Sequence, residues 1–116
     1  MSHFSTLRTK ITDVEILQNS LRDLGITTKT NAEVRGYNGQ QVRADLVAVL
    51  DGEYDLGWSG NGDGTFDLIA DLWGVAKKHN QTELINSINQ KYAVNKTLSE
   101  VQQRGLNNAN VKLVVQ

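Results

Sequence analysis

The stretch Ala44-Asp45-Leu46-Val47-Ala48-Val49-Leu50 decides the reading of this 116-residue chain. From Leu46 to Leu50 no polar side chain intervenes, the pattern of a strand buried on both faces and not of one that alternates core and water. A strand of that kind belongs in the middle of a sheet, and the rest of the chain must cover it. Upstream, Ile26 to Val42 is polar and β-leaning, and Tyr37-Asn38-Gly39-Gln40 carries an Asn-Gly pair suited to a tight turn whose two central residues need positive φ. Strands are expected on either side of it. Downstream, Asp55 to Trp58 and Thr65 to Asp71 read as two short strands around the loop Ser59 to Gly64, which makes a meander.

Toward the N-terminus, the period-two run Phe4 to Ile11 predicts an opening strand. Thr12 stands three residues before Glu15 at the spacing of a capping box, and Val14, Leu17, Leu21 and Leu24 form one apolar stripe ending at Gly25. A helix over 13–24 follows. Toward the C-terminus, Asn80 precedes Glu83 at cap spacing, and Leu84, Ile85, Ile88 and Tyr92 mark a second amphipathic helix. Val94, Leu98 and Val101 continue that period to Gly105, either as one bent helix or as two with a break near Ala93 to Asn95. Val111 to Val115 is expected to return as a final strand.

The order is that of an α+β protein, a single domain over 1–116. The expected architecture is a ferredoxin-like two-layer sandwich, an elaborated antiparallel sheet with two or three helices on one face. Two helices cover one face of such a sheet. The other face, as apolar as Leu46 to Leu50 implies, needs a cover of its own, and a second copy of the chain would supply one, so a homodimer or a fixed partner is expected.

Composition excludes more than it identifies. With 39% hydrophobic and 22% charged residues the chain is globular in type, and zero cysteines exclude disulfides, thiol catalysis and Cys-built metal sites. No run reaches the roughly 18 apolar residues of a membrane span, and Met1 to Lys10 lacks a signal-peptide core. The net charge of −1 hides an asymmetry: Asp45, Asp51, Glu53, Asp55, Asp63, Asp67 and Asp71 fall between Ala44 and Ala76 with no Lys or Arg, while the rest of the chain holds all twelve basic groups. Such a split can steer a partner.

The motifs are weak as chemistry. In Ser59-Gly60-Asn61-Gly62-Asp63-Gly64-Thr65 the spacing matches positions three, five and six of a calcium loop, but Ser59 and Ala70 stand where its first and last carboxylates belong. The glycines fit neither a dinucleotide fingerprint nor a P-loop. His3 and His79 have no metal or triad spacing, so no metal or cofactor is expected. The basic residues lack interleaved aromatics, which argues against nucleic acid. Trp58 and Trp73 bracket the Gly-rich loop, and Trp58, Asp63, Asp67, Lys77, Lys78 and Lys91 are the candidate residues for binding a protein partner.

Met1-Ser2-His3-Phe4-Ser5, the segment Asp67 to Val75, and Ile88-Asn89-Gln90-Lys91-Tyr92-Ala93 followed by Gly105 and Leu113-Val114-Val115 together resemble a small family of cyanobacteria and algal plastids, the hypothetical chloroplast reading frame thirty-five. The resemblance spans nearly the whole chain. It brings no activity, cofactor or catalytic residue with it, and it implies a protein of the cyanobacterial cytoplasm or plastid stroma. The chain departs from the family after Gly105, where Leu106 to Asn110 replace a longer acidic hairpin. The expected function is a non-enzymatic adaptor or regulatory module. The alternative is a small-molecule or metal-binding sensor or enzyme using a pocket between sheet and helices.

Overall fold

Five antiparallel strands form one sheet in the order β1-β5-β4-β3-β2 in the computed structural model, which describes residues 4–103. The strands are β1 (Ser5–Arg8), β2 (Thr27–Arg35), β3 (Gln41–Val49), β4 (Leu56–Gly60) and β5 (Phe66–Ala70). The helices are α1 (Val14–Asp23), the short α2 (Leu72–Ala76) and α3 (Gln81–Gln103). This is the α+β class that the sequence implies. The strand order is not the ferredoxin-like one, because β2 to β5 run as a continuous meander and β1 closes on β5 antiparallel, so that the β1-α1-β2 crossover joins the two edge strands over three intervening ones. β3 is an interior strand, and β4 takes the centre. The expected strand over 111–115 lies outside the described residues.

Local chemistry explains most elements. Asp13, not Thr12, caps α1: its Oδ1 accepts from the amides of Glu15 and Ile16 at 3.0 and 3.1 Å. The Thr12 hydroxyl lies 3.5 Å from that of Tyr92 on α3, which also accepts from the Thr12 amide at 3.0 Å. At the other end Ile26 N–H reaches Leu21 O and Gly25 N–H reaches Arg22 O, the paired bonds of a Schellman motif, with Gly25 at φ 77°. Asn38 and Gly39 have φ of 55° and 77°, as the Asn-Gly turn requires. α3 is one continuous helix capped by Asn80, whose side chain accepts from Glu83 N–H at 3.1 Å. No break occurs at Ala93 to Asn95; Asn95 instead donates to Ser20 Oγ and Asp23 Oδ2, tying α3 to α1.

The helices cover one face. Leu17 and Leu21 of α1 and Ile88 and Tyr92 of α3 pack on Leu46, Ala48, Leu56, Trp58 and Leu68. The second face is covered by the chain's own β2–β3 hairpin, which meets the need that the sequence assigned to a second copy. At Asn31 (φ 46°) opposite Asp45 the ladder is interrupted, and the side-chain alternation switches there, so that Leu46 joins the helix-side core while Ala44 joins Val34 and Val47 in a second one. β3 leaves β4 at the same point, and Gly60 N–H turns to the Asp45 carboxylate at 2.9 Å. The distal half of the hairpin thus folds back across β4. It lies so close that a Cβ on Gly57 would overlap Val34 and sit 3.0 Å from Ala44.

Two buried carboxylates pin the folded hairpin. Asp55, 2% exposed, takes Arg35 Nη2 and Nε at 2.8 Å each and the amides of Arg35 and Leu50 at 3.0 and 3.2 Å. The hydrogen bond to Asp55 raises the Arg35 guanidinium pKa above its ordinary value. Asp71 caps α2 through Gly74 N–H and receives the Tyr37 amide from the hairpin tip at 3.2 Å. Two of the seven clustered acids are therefore internal fastenings, and the acidic segment is not one solvated face.

Candidate functional site

Two surface features stand out, one at each side of the sheet. The first is a cleft of about 620 Å³ between β1 and α3. Trp58 and Leu68 form its floor from the sheet, Leu7 and Ile11 one wall, and Ile85, Ile88 and Tyr92 the other. The helix face leaves this gap because β1 is an edge strand and α3 lies over the sheet chiefly through Ile88 and Tyr92. Tyr92 fixes the cleft's width: its hydroxyl accepts from Thr12 and Asp13 N–H at 3.0 Å each, locking α3 to the residues that lead from β1 into α1. Arg8, Lys10 and Lys96 border the cleft, and among the described residues no Asp or Glu lines it.

The second feature is the corner where the hairpin tip meets α2. Asp71 holds both, and on either side of it Tyr37 is 41% and Trp73 70% exposed. α2 turns Gly74 and Val75 inward, Gly74 directly against the Tyr54 ring, which leaves Trp73 on the opposite side. An indole held in water by a capped turn is costly in apolar exposure and typical of an interface anchor.

The six candidate residues do not assemble into one surface. Trp58 is 2% exposed and belongs to the core, because its neighbours Leu46 and Leu68 face the helices with it; it cannot anchor a partner at the surface. Asp63 and Asp67 serve the β4–β5 turn. Asp63 Oδ1 accepts from Thr65 N–H and Oγ1 at 2.9 and 2.6 Å, and Asp67 accepts from Asn61 at 2.9 Å. Those bonds from Thr65, with Arg8 3.3 Å away, hold the Asp63 carboxyl below its ordinary pKa. Lys77 and Lys78 sit at the other end of β4, Lys77 with its ammonium 5.8 Å from the Tyr54 ring centre and Lys78 beside Gly52. Lys91 is half-buried on α3 and lies outside the cleft. Among the described residues no group of three or more His, Asp or Glu is placed to hold a metal ion, and no helix is long and apolar enough to cross a membrane.

The sequence reading missed the exposure of Trp73 and the cations of the cleft. A signal for the first existed: a short helix begun by Asp71 with Leu72 and Val75 inside must turn Trp73 outward.

Residues 20–113 match the family model described as a protein of unknown function, DUF1257. The chain belongs to the DUF1257 family. It is 34% identical over 112 residues to the uncharacterized protein ycf35 of Guillardia theta, covering 95% of this chain and 86% of that protein. It is 26% identical over 125 residues to the ycf35 protein of Pyropia yezoensis, covering 100% and 97%. No solved structure matches the chain. The DUF1257 match takes in Trp58, Trp73 and all of α3, whereas β1, the strand wall of the cleft, precedes it.

Proposed function

We propose that this DUF1257 protein is a non-enzymatic binding module that engages a protein partner through the Trp73 corner. The observation that carries the reading is the 70% exposure of Trp73 on a turn fixed by a buried carboxylate. Such a ring contributes to binding without being ordered first, so little entropy is lost when a partner covers it. Tyr37 widens the apolar area, and Lys77 and Lys78 follow at the end of α2 as a charged rim. Asp63 and Asp67, at the other end of β4, lie outside this surface. The titratable groups support a binding role over catalysis, since Asp55 and Asp71 are consumed in pinning the hairpin and the His79 ring bonds the Asp51 carbonyl at 3.1 Å. The likeness to ycf35 proteins supports a location in the plastid stroma or the cyanobacterial cytoplasm.

A photo-cross-linking residue at position 73 tests this in cells. The reading expects a discrete adduct with another protein, absent when the probe stands at exposed Thr82. Recovery of that partner should fall at least tenfold in Trp73→Ala and stay unchanged in Asp63→Asn, while the unfolding free energy of Trp73→Ala stays within about 0.5 kcal/mol. An adduct with a second copy of the chain would make the partner a homodimer. Equal yields at 73 and 82 would sink the reading.

A further inference from the structure

We infer that the cleft between β1 and α3 binds an aliphatic carboxylate, with the chain along the apolar trough and the carboxylate at the lysine rim. This goes beyond the protein-binding reading and is independent of it, because the cleft shares no residue with the Trp73 corner. The volume of about 620 Å³ falls in the range of small-molecule sites, roughly 300–1,000 Å³. Its floor is apolar, with Trp58, Leu68 and Ile88 all core residues. Leu7, 43% exposed at the mouth, is an apolar side chain that a bound chain would cover.

The charge of the lining selects the head group. Lys10 comes from the strand wall and Lys96 from the helix wall, one turn beyond Tyr92, and neither makes an ion pair with an acid among the described residues. Arg8 is already turned to Asp63 at 3.3 Å. With Lys10 and Lys96 outside any ion pair and no Asp or Glu among the described lining residues, an anion is attracted, a neutral chain is tolerated and a cationic one is repelled. Both lysines extend from stems that can lie along apolar surface while their ammonium groups stay in water, the geometry in which an amphiphile meets a protein.

Decanoate, decanol and decyltrimethylammonium, each below its micelle concentration, test the assignment by calorimetry on the full chain. In a Trp73→Phe background the Trp58 indole alone reports on the cleft floor by fluorescence. Decanoate should bind at one to one and shift Trp58 emission, with octanoate weaker by about fifteenfold, or about fourfold for each methylene lost from the trough. Decanol should bind more weakly and the ammonium not at all. Lys10→Met and Lys96→Met should each weaken decanoate about two- to fivefold and leave decanol unchanged. Ala93→Phe, which fills the cleft from α3, should abolish binding with the thermal midpoint retained; if that variant fails to fold, the two lysine variants decide. Failure of decanoate to bind, binding no tighter than decanol, or an affinity that neither lysine alters would overturn the proposal, whether the cleft then holds part of this chain or a second protein.

Discussion

The two faces of the sheet are closed by different means. On the helix face large side chains from α1 and α3 fill the space by volume, and where α3 and the edge strand diverge a cleft remains. On the other face a folded-back hairpin lies nearly in contact with the β4 backbone at Gly57, and among the described residues only Val34, Ala44 and Val47 are fully buried there. So thin a layer gives little hydrophobic stabilisation, and polar fastenings hold it in place: the Asp55–Arg35 pair and the Asp71 contact with Tyr37. The cover made of bulky side chains leaves an apolar cleft, whereas the space left at the hairpin tip is lined by Arg35, Gln40, Gln41 and Glu53 and is polar. Both surface features fit that division, the cleft opening on the first face and Trp73 standing at the edge of the second.

Cutting a fastening should separate the faces most sharply. In Asp55→Ala the amides of Arg35 and Leu50 and the guanidinium lose their acceptor in a part-buried site. A cost of about 2–4 kcal/mol is expected by chemical denaturation, below the full cost of a buried pair because Arg35 is partly in water. Amide exchange should speed first at Val34, Ala44 and Val47 and last in α1. If exchange rose equally throughout, the hairpin would not be a separate layer.

On the helix face, Tyr92→Phe removes the acceptor shared by Thr12 and Asp13 N–H without changing the ring. The expected loss is about 1–2 kcal/mol, with the α3–α1 junction loosened and the hairpin amides untouched. A smaller effect is expected at the β4–β5 turn, which belongs to neither cover. The Asp63 pKa is held below its ordinary value near 3.8, so its contribution is present above that value and fades as pH falls through the lowered pKa. The Thr65 amide proton shift in NMR should therefore titrate with the Asp63 carboxyl below the ordinary carboxylate range, and Asp63→Asn should remove that step.

Much of this was legible in the sequence because it is local. The Asn38-Gly39 turn, the Asn80 cap, the α1 stripe ending at Gly25 and the double-sided burial of Leu46 to Ala48 each depend on residues within a few positions. The cap of α1 falls on Asp13 and not on Thr12, whose hydroxyl lies 3.5 Å from that of Tyr92, 80 positions away. The fold-back of the hairpin was not legible at all. It depends on Asn31 adopting positive φ opposite Asp45 and on Arg35 meeting Asp55 across 20 residues, and neither leaves a periodic trace. The same limit governs the candidate site: the acids Asp55 and Asp71 read as surface charge until their buried partners are seen, and the burial of Trp58 follows from its register with Leu46 and Leu68.

The central claim is that the second face is closed from within the chain. Isotope-filtered NMR on an equal mixture of labelled and unlabelled protein tests it at Val34 and Gly57. The account predicts strong nuclear Overhauser contacts between the Val34 methyls and the Gly57 α-protons within one molecule, at every protein concentration. Contacts seen only between labelled and unlabelled molecules, or Val34 methyls exposed to solvent, would contradict it and return the second face to a partner.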